Sequence, residues 1–508
     1  MQRLGPIADV VETALHDLGG RRAAARIWDG DHTLWQDDPT EVTDRLGWLH
    51  VLDDMEAELD RLEAFAAAAA ADGLTHAVVM GMGGSSLFPE VLARTFPTAD
   101  GRLTLRTLDT TDPATVLRVE SECPVEHTLF IASSKSGSTI ETRSHLAYFW
   151  DEVGDPSRFV AITDPGSELA AIGAERGFRA VFENRSDIGG RYSALSFFGL
   201  VPAALAGVDV RAMLAAARAS ATACGPDVDV DKHPGLRLGA TLGAAARAGR
   251  DKLTLVLDAE VETFGLWLEQ LIAESTGKHG TGVIPVAGER LGPPEVYGDD
   301  RLFVALGTHH GLEPLIDAGH PVVELDFGGP DDLGAQVFLW EFAVAACGAV
   351  LGINPFDQPN VAEAKAATQR VLGEGPPAIE TEPLDGLLAE VGPGDYLAIL
   401  AYVDPEAGVV DAIEDARTAL RDRLCVASTV GIGPRYLHST GQLHKGGQPS
   451  GVFVQVVGEE VVDAPVPGED FTFSTLLHAQ AAGDLLTLKG KGLRAARVSI
   501  DDLLKETR

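Results

Sequence analysis

Cysteine is scarce in this chain. Cys123, Cys224, Cys347 and Cys425 are spread over 508 positions with no close pair, which argues against a disulfide framework and against a thiolate zinc site. Cys347 lies in an apolar helical run and reads as a buried, inert thiol. Long hydrophobic runs are missing too: no apolar stretch reaches the length of a membrane span. The alanine-rich residues 66–71 lie beside charged ones and read as helix surface. The opening Met1-Gln2-Arg3-Leu4-Gly5-Pro6 lacks the basic-then-apolar shape of a secretory leader, so cytoplasmic residence and no membrane partner are expected. Cations are few. The 40 Lys and Arg stand against 76 Asp and Glu, a formal net charge of −36, which weighs against a nucleic-acid partner. The surplus acids read as a solvated surface. Any anion site must then be local, built from a few cations, hydroxyls and N–H groups within a screening length of about 8 Å.

What is present is an ordinary globular composition, 45% hydrophobic and 23% charged, in a chain long enough for about three domains of roughly 150 residues. Residues 1–72 read as helices, from apolar positions at helical spacing such as Ile7, Val10, Val11, Ala14 and Leu15. Strand, turn and helix units follow at Ala77-Val78-Val79-Met80, Thr128-Leu129-Phe130-Ile131-Ala132 and Phe159-Val160-Ala161-Ile162. A second series has strands at residues 253–257, 302–306 and 322–325, with helices at 261–276 and 331–351. Residues 373–382 look like a linker, and strands at 396–400 and 452–457 mark a third α/β region. Alternating strands and helices predict doubly wound parallel sheets. The expected division is a helical segment over 1–72, α/β domains over 73–230 and 231–372, and a C-terminal α/β region over 383–508.

Five motifs carry chemistry. The turn Ser133-Ser134-Lys135-Ser136-Gly137-Ser138-Thr139 leaves a strand and enters a helix, where hydroxyls, backbone N–H groups and one ammonium can cradle a phosphate. The glycine turn Gly81-Met82-Gly83-Gly84-Ser85 lets backbone approach a ligand closely, and its spacing is not the full dinucleotide fingerprint. Gly189-Gly190-Arg191 delivers a permanent cation suited to a phosphate or an enediolate, or else to a surface salt bridge. Gln270 and Glu274 are four apart and share a helix face with Trp267 and Leu271. A carboxylate there has a raised pKa fit for a base near neutral pH, unless it is a solvated surface glutamate. In the fifth, Asn354-Pro355-Phe356-Asp357-Gln358-Pro359-Asn360, two prolines stiffen a loop that starts a helix carrying Lys365, two turns beyond Gln358. Read alone, Asp357 or Asn360 is an N-cap and Lys365 a solvated cation.

Together, residues 81–89, 134–142, 189–193, 270–278 and 354–365 resemble the phosphoglucose isomerase family, in that family's order. The resemblance covers residues from about 40 to 370, and the tail is similar to the isomerase half of transaldolase/phosphoglucose isomerase fusions. No transaldolase activity is expected. The implied fold is two doubly wound sugar-isomerase (SIS-like) domains plus the C-terminal α/β region. The implied reaction interconverts glucose 6-phosphate and fructose 6-phosphate through a cis-enediol, without cofactor or metal; a related phosphosugar such as mannose 6-phosphate, or binding without turnover, stays open. By resemblance, Gly84, Ser85, Ser134, Lys135, Ser136 and Thr139 hold the sugar phosphate. Glu274 is the base, Arg191 stabilises the enediolate, Gln270 and Gln358 bond the sugar, and Lys365 assists ring opening. The family opens the ring with a histidine, usually a neighbouring subunit's, a few tens of residues after the base. Here residues 292–308 hold none, and His309-His310 lie just beyond a strand. The late segment His438-Ser439-Thr440-Gly441-Gln442-Leu443-His444 offers His438 first and His444 second. A neighbour's histidine would require at least a homodimer.

Overall fold

The first strand, β1 (Gln2–Arg3), does not join the sheet nearest to it in sequence. That sheet is built from β2 (His76–Met80), β3 (Thr104–Leu108), β4 (Thr128–Ser133), β5 (Phe159–Thr163) and β6 (Ala180–Glu183). All pairs in it are parallel, in the order β3-β2-β4-β5-β6. The second sheet has β7 (Lys252–Leu257), β8 (Ile284–Val286), β9 (Arg301–Leu306) and β10 (Val322–Leu325). Its order is β1-β10-β9-β7-β8, and β1 closes it as an antiparallel edge. The third sheet orders β11 (Tyr396–Tyr402), β12 (Ala427–Ile432), β13 (Gly451–Val457) and β14 (Arg494–Arg497) as β12-β11-β13-β14, all parallel. The architecture is α/β throughout. The computed structural model describes residues 2–307, 309, 311–375, 377–459 and 461–507, without the side chains of residues 361–365.

Burial follows the parallel rule that both sheet faces are covered. Val78, Val79, Met80 and the whole of β4 and β5 are buried. The expectation of helices throughout residues 1–72 needs correcting at its start, since Gln2 and Arg3 pair with Val323 and Val322. The helices Ala8–Gly20 and Val51–Ala71 share one continuous core with both of the first two sheets. A second correction concerns the membrane. One segment, Pro330–Leu351, is long and apolar enough to cross a bilayer, and it contains the helix Leu333–Leu351. Its hydrophobicity instead serves packing, because 89% of its apolar window is buried inside the protein.

The position of the site follows from register. Met80 pairs with Ala132, and Ala132 with Ala161, so β2, β4 and β5 end at one edge of the sheet. The chain leaves β2 toward β3 on one side and returns to β4 on the other, which opens a crevice at the carboxyl ends of β2 and β4.

Candidate active site

A cavity of about 460 Å³ fills that crevice. Its walls come from the turns after β2, β4 and β5, from the helix Phe264–Thr276 beside the second sheet, and from the 3₁₀ turn Arg435–His438 that follows β12. Ten of the expected residues line it: Gly84, Ser85, Ser134, Lys135, Ser136, Thr139, Gln270, Glu274, Gln358 and His438. Arg191 lies directly behind Glu274. Lys365 sits on the helix Val361–Glu374, and its side chain falls outside the described residues.

The serine turn is pre-folded. Ser134 Oγ lies 3.0 Å from Thr139 Oγ1 and accepts the Gly137 N–H at 3.1 Å. Gly137 takes φ +72°, and an added Cβ would meet the Leu169 nitrogen at 2.6 Å, so only glycine serves there. Thr139 stands at the N-cap of the helix Ile140–Val153 without a side-chain cap bond. The first-turn N–H groups and the positive end of the helix dipole therefore point at the cavity. Lys135 departs from expectation. Its ammonium is ion-paired with Asp164, a cavity-lining carboxylate that sequence reasoning missed, and donates to the Ser186 carbonyl at 2.8 Å. The glycine turn differs as well. A Cβ on Gly84 would run into the Gly190 carbonyl, and one on Gly83 would meet the His438 carbonyl at 2.6 Å. These glycines let three protein segments close on one another, while still lining the cavity.

At the other end, the i, i+4 spacing puts Gln270 and Glu274 on one helical face, and the Gln270 amide donates to Glu274 Oε2 at 3.2 Å. Both are buried, so the solvated reading of Glu274 fails. Burial raises the Glu274 carboxyl above the ordinary carboxylate range, opposed by the charges of Arg191, Lys278 and His438. Arg191 is 1% exposed and clamped: Nε donates to Ser275 Oγ at 2.7 Å, and Nη2 to the carbonyls of Pro355 at 2.6 Å and Asp357 at 3.2 Å. Its Nη1 has no hydrogen-bond partner and lies 3.6 Å from Glu274 Oε2. A buried, unsatisfied cationic donor next to a buried carboxylate is costly unless a ligand's developing negative charge completes it. The surface-salt-bridge reading of Arg191 is excluded by the same burial.

His438 enters from the third sheet. Its Nε2 bonds Glu141 Oε1 at 2.9 Å, and its carbonyl accepts from Gln270 at 2.9 Å. Glu141, two residues past the serine turn, was not singled out from sequence, since only the fold brings it to His438. Burial pushes its carboxyl up, but the charge and hydrogen bond of His438 outweigh that and hold it below its ordinary value. Gln480 donates to the same oxygen at 2.6 Å. His444 lies elsewhere. Its ring packs among Tyr396, Tyr436 and Phe453, and burial pushes its pKa down to about 3. His309 bonds the Leu306 carbonyl at 2.7 Å and does not line the cavity, and His310 falls outside the described residues. Asp357 is no N-cap; its carboxylate takes the Lys278 ammonium at 2.6 Å. Asn360 stands at the N-cap position without a side-chain cap bond. Among the described residues no group of three His, Cys, Asp or Glu side chains could hold a metal ion.

Comparison with known proteins gives the family. The family model described as phosphoglucose isomerase matches residues 32–328. The chain is 30% identical over 370 residues to the glucose-6-phosphate isomerase of Rubrobacter xylanophilus, covering 59% of this chain and 83% of that protein. It is 29% identical over 378 residues to the glucose-6-phosphate isomerase of Acaryochloris marina, covering 62% and 70%. A hypothetical protein from Thermus thermophilus matches in structure with a TM-score of 0.63 at 25% identity, over 73% of this chain and 100% of that one. A glucose-6-phosphate isomerase from Chlamydia trachomatis, with a TM-score of 0.53 at 21% identity over 70% and 78% of the two chains, shares the fold. With more than half of its 508 residues matched, the chain belongs to the phosphoglucose isomerase family.

Proposed function

We propose that this cavity interconverts glucose 6-phosphate and fructose 6-phosphate, with Glu274 as the proton carrier. The observation that carries the reading is a buried carboxylate, Glu274, lining the same cavity as a hydroxyl-lined helix N-terminus and backed at 3.6 Å by Arg191 Nη1, which has no hydrogen-bond partner. The 6-phosphate sits against residues 134–139, where Ser134, Ser136 and Thr139 offer hydroxyls and the helix start offers N–H groups. That leaves C1 and C2 at the Glu274 end.

The open-chain aldose loses its C2 proton to Glu274, and the C2–H electrons form the C1–C2 double bond as the C1 carbonyl oxygen becomes negative. Arg191 Nη1 is the donor placed for that charge. The C2 hydroxyl passes its proton to the C1 oxygen, and return of the carbon-bound proton to C1 as the C2 oxygen becomes the carbonyl completes the ketose, so atoms and electrons balance without a second reactant. A base must ionise and reprotonate near the working pH, which the raised Glu274 carboxyl favours. His438, oriented by Glu141, is the group for ring opening, and Gln270 and Gln358 bond the sugar hydroxyls. The test is a coupled assay of the purified chain on fructose 6-phosphate; absence of glucose 6-phosphate formation refutes the reading.

A further inference from the structure

One buried cation has no part in the chemistry above. Lys278 is fully buried, two residues beyond the end of the helix Phe264–Thr276 that carries Glu274. Its Nζ donates to the Asp357 carbonyl at 2.7 Å and to Asp357 Oδ1 at 2.6 Å. The same carbonyl accepts from Arg191. Two cations from two different segments thus converge on Asp357, the residue immediately before the cavity-lining Gln358. The far side of this loop is tied down independently: the Asn360 N–H donates to Gln442 Oε1 at 3.0 Å, and Gln442 Nε2 donates to the Gly277 carbonyl at 2.9 Å. Lys278 itself is held by a reciprocal backbone pair with Thr281, each N–H to the other's carbonyl at 3.1 Å, with His279 between them at φ +56°.

We propose that Lys278 is a positioning residue for the isomerisation, acting through Asp357 to seat the Gln358 loop against the segment that carries Glu274. The proposal rests on the isomerase reading above. A fully desolvated ammonium is a costly way to join a loop to a helix end, and an apolar side chain of the same length would pack there at lower cost. What an apolar side chain lacks is a directed grip on one carbonyl and one carboxylate, and a positive charge near the base. Burial pushes Lys278 down to about 8 even with Asp357 beside it. The charged groups that face it are Asp357 on the loop, Arg191 on its turn and Glu274 on the helix. Lys278 in turn favours the ionised form of Glu274.

The experiment uses the full chain and three variants, Lys278→Met, Lys278→Arg and Asp357→Asn, assayed on fructose 6-phosphate between about pH 5.5 and 9, with thermal melting of each. Lys278→Met is expected to lower kcat/KM by about tenfold or more and to move the acid limb of the rate profile toward higher pH, because Glu274 loses a stabilising cation. Lys278→Arg recovers part of that loss. Asp357→Asn loosens the grip and raises KM by about threefold or more while leaving the acid limb near its original pH. A purely structural lysine would change the melting temperature alone. An active parent whose folded Lys278→Met variant keeps its acid limb, or whose Asp357→Asn variant keeps its KM, overturns the proposal. Should Lys278→Met fail to fold, the KM of Asp357→Asn decides by itself. An inactive parent overturns the isomerase reading instead, and this one with it.

Discussion

Replacing Glu274 by Gln keeps the side chain's volume and an oxygen that can accept the Gln270 amide, now at 3.2 Å, while removing the capacity to take a proton. General-base catalysis contributes about 10²–10⁴-fold, equal to about 3–5 kcal/mol of barrier at about 1.4 kcal/mol per decade. The upper end is expected here. The other carboxylate lining the cavity among the described residues is Asp164, which is occupied by Lys135 at the phosphate end and out of place to substitute. KM should stay within about threefold, because the turn at 134–139 is untouched. In deuterated water the parent exchanges the transferred hydrogen for solvent deuterium, and the variant should not.

Stability should move the other way. The Glu274 carboxyl is raised above its ordinary value of 4.5 in the fold. Its contribution is therefore fully present only below that value, where the group is protonated, and is lost as pH rises through the raised one. Glutamine mimics the protonated form, so the variant should melt at a higher temperature than the parent near pH 8, with the difference vanishing near about pH 4. A kcat within about tenfold of the parent, or undiminished deuterium uptake, would refute the assignment of the base.

Other substitutions probe the rest of the cavity. Asp164→Asn removes a carboxylate facing the phosphate and frees Lys135; KM for fructose 6-phosphate should fall by about threefold to tenfold with kcat little changed, and a raised KM would count against the cradle. Gly84→Ala drives a Cβ into the Gly190 carbonyl, so a loss of about 1–3 kcal/mol in urea unfolding and a collapse of turnover are expected; a parent-like midpoint and rate would show that the turns are not packed as described. Glu274→Gln and His438→Ala each disable a group, and both groups line the same cavity from the same chain, so mixing the two inactive variants should restore no turnover. Recovered activity would mean that the working histidine crosses between copies.

Periodicity in the sequence reveals strands only where they are buried on both faces. The eight strands it predicts, β2, β4, β5, β7, β9, β10, β11 and β13, are all interior to their sheets. The six it misses, β1, β3, β6, β8, β12 and β14, are all edges. Thr104–Leu108 and Arg494–Arg497 show why: one side of an edge strand meets solvent or a loop, so its run of apolar residues is broken by Thr and Arg. The site divides in the same way. Glu274 and Gln270 are legible from i, i+4 spacing, and the serine turn from its place between strand and helix. Glu141, Asp164, Ser275 and Lys278 meet His438, Lys135, Arg191 and Asp357 only through the fold, contacts between residues distant in sequence that no local pattern encodes. His438 and His444 are six apart in one segment, and only the packing of the short helix Gly441–Gly446 sends one ring to the cavity and the other among aromatic side chains.

The pairing of β1 with β10 also sets an order of assembly. Residues 2 and 3 complete a sheet whose adjoining strand is synthesised roughly 320 residues later, about half a minute at about 10 residues per second. The start of the chain must wait on the ribosome while the first sheet, with its serine turn and helix, is already able to form. When β10 emerges, β1 pairs with its Val322 and Val323, with the exposed Arg3 to Glu313 ion pair at 2.8 Å beside them. Until that moment the half-built second sheet carries an unpaired edge, so a nascent chain stalled just past residue 325 would be the form most prone to recruit a foreign strand.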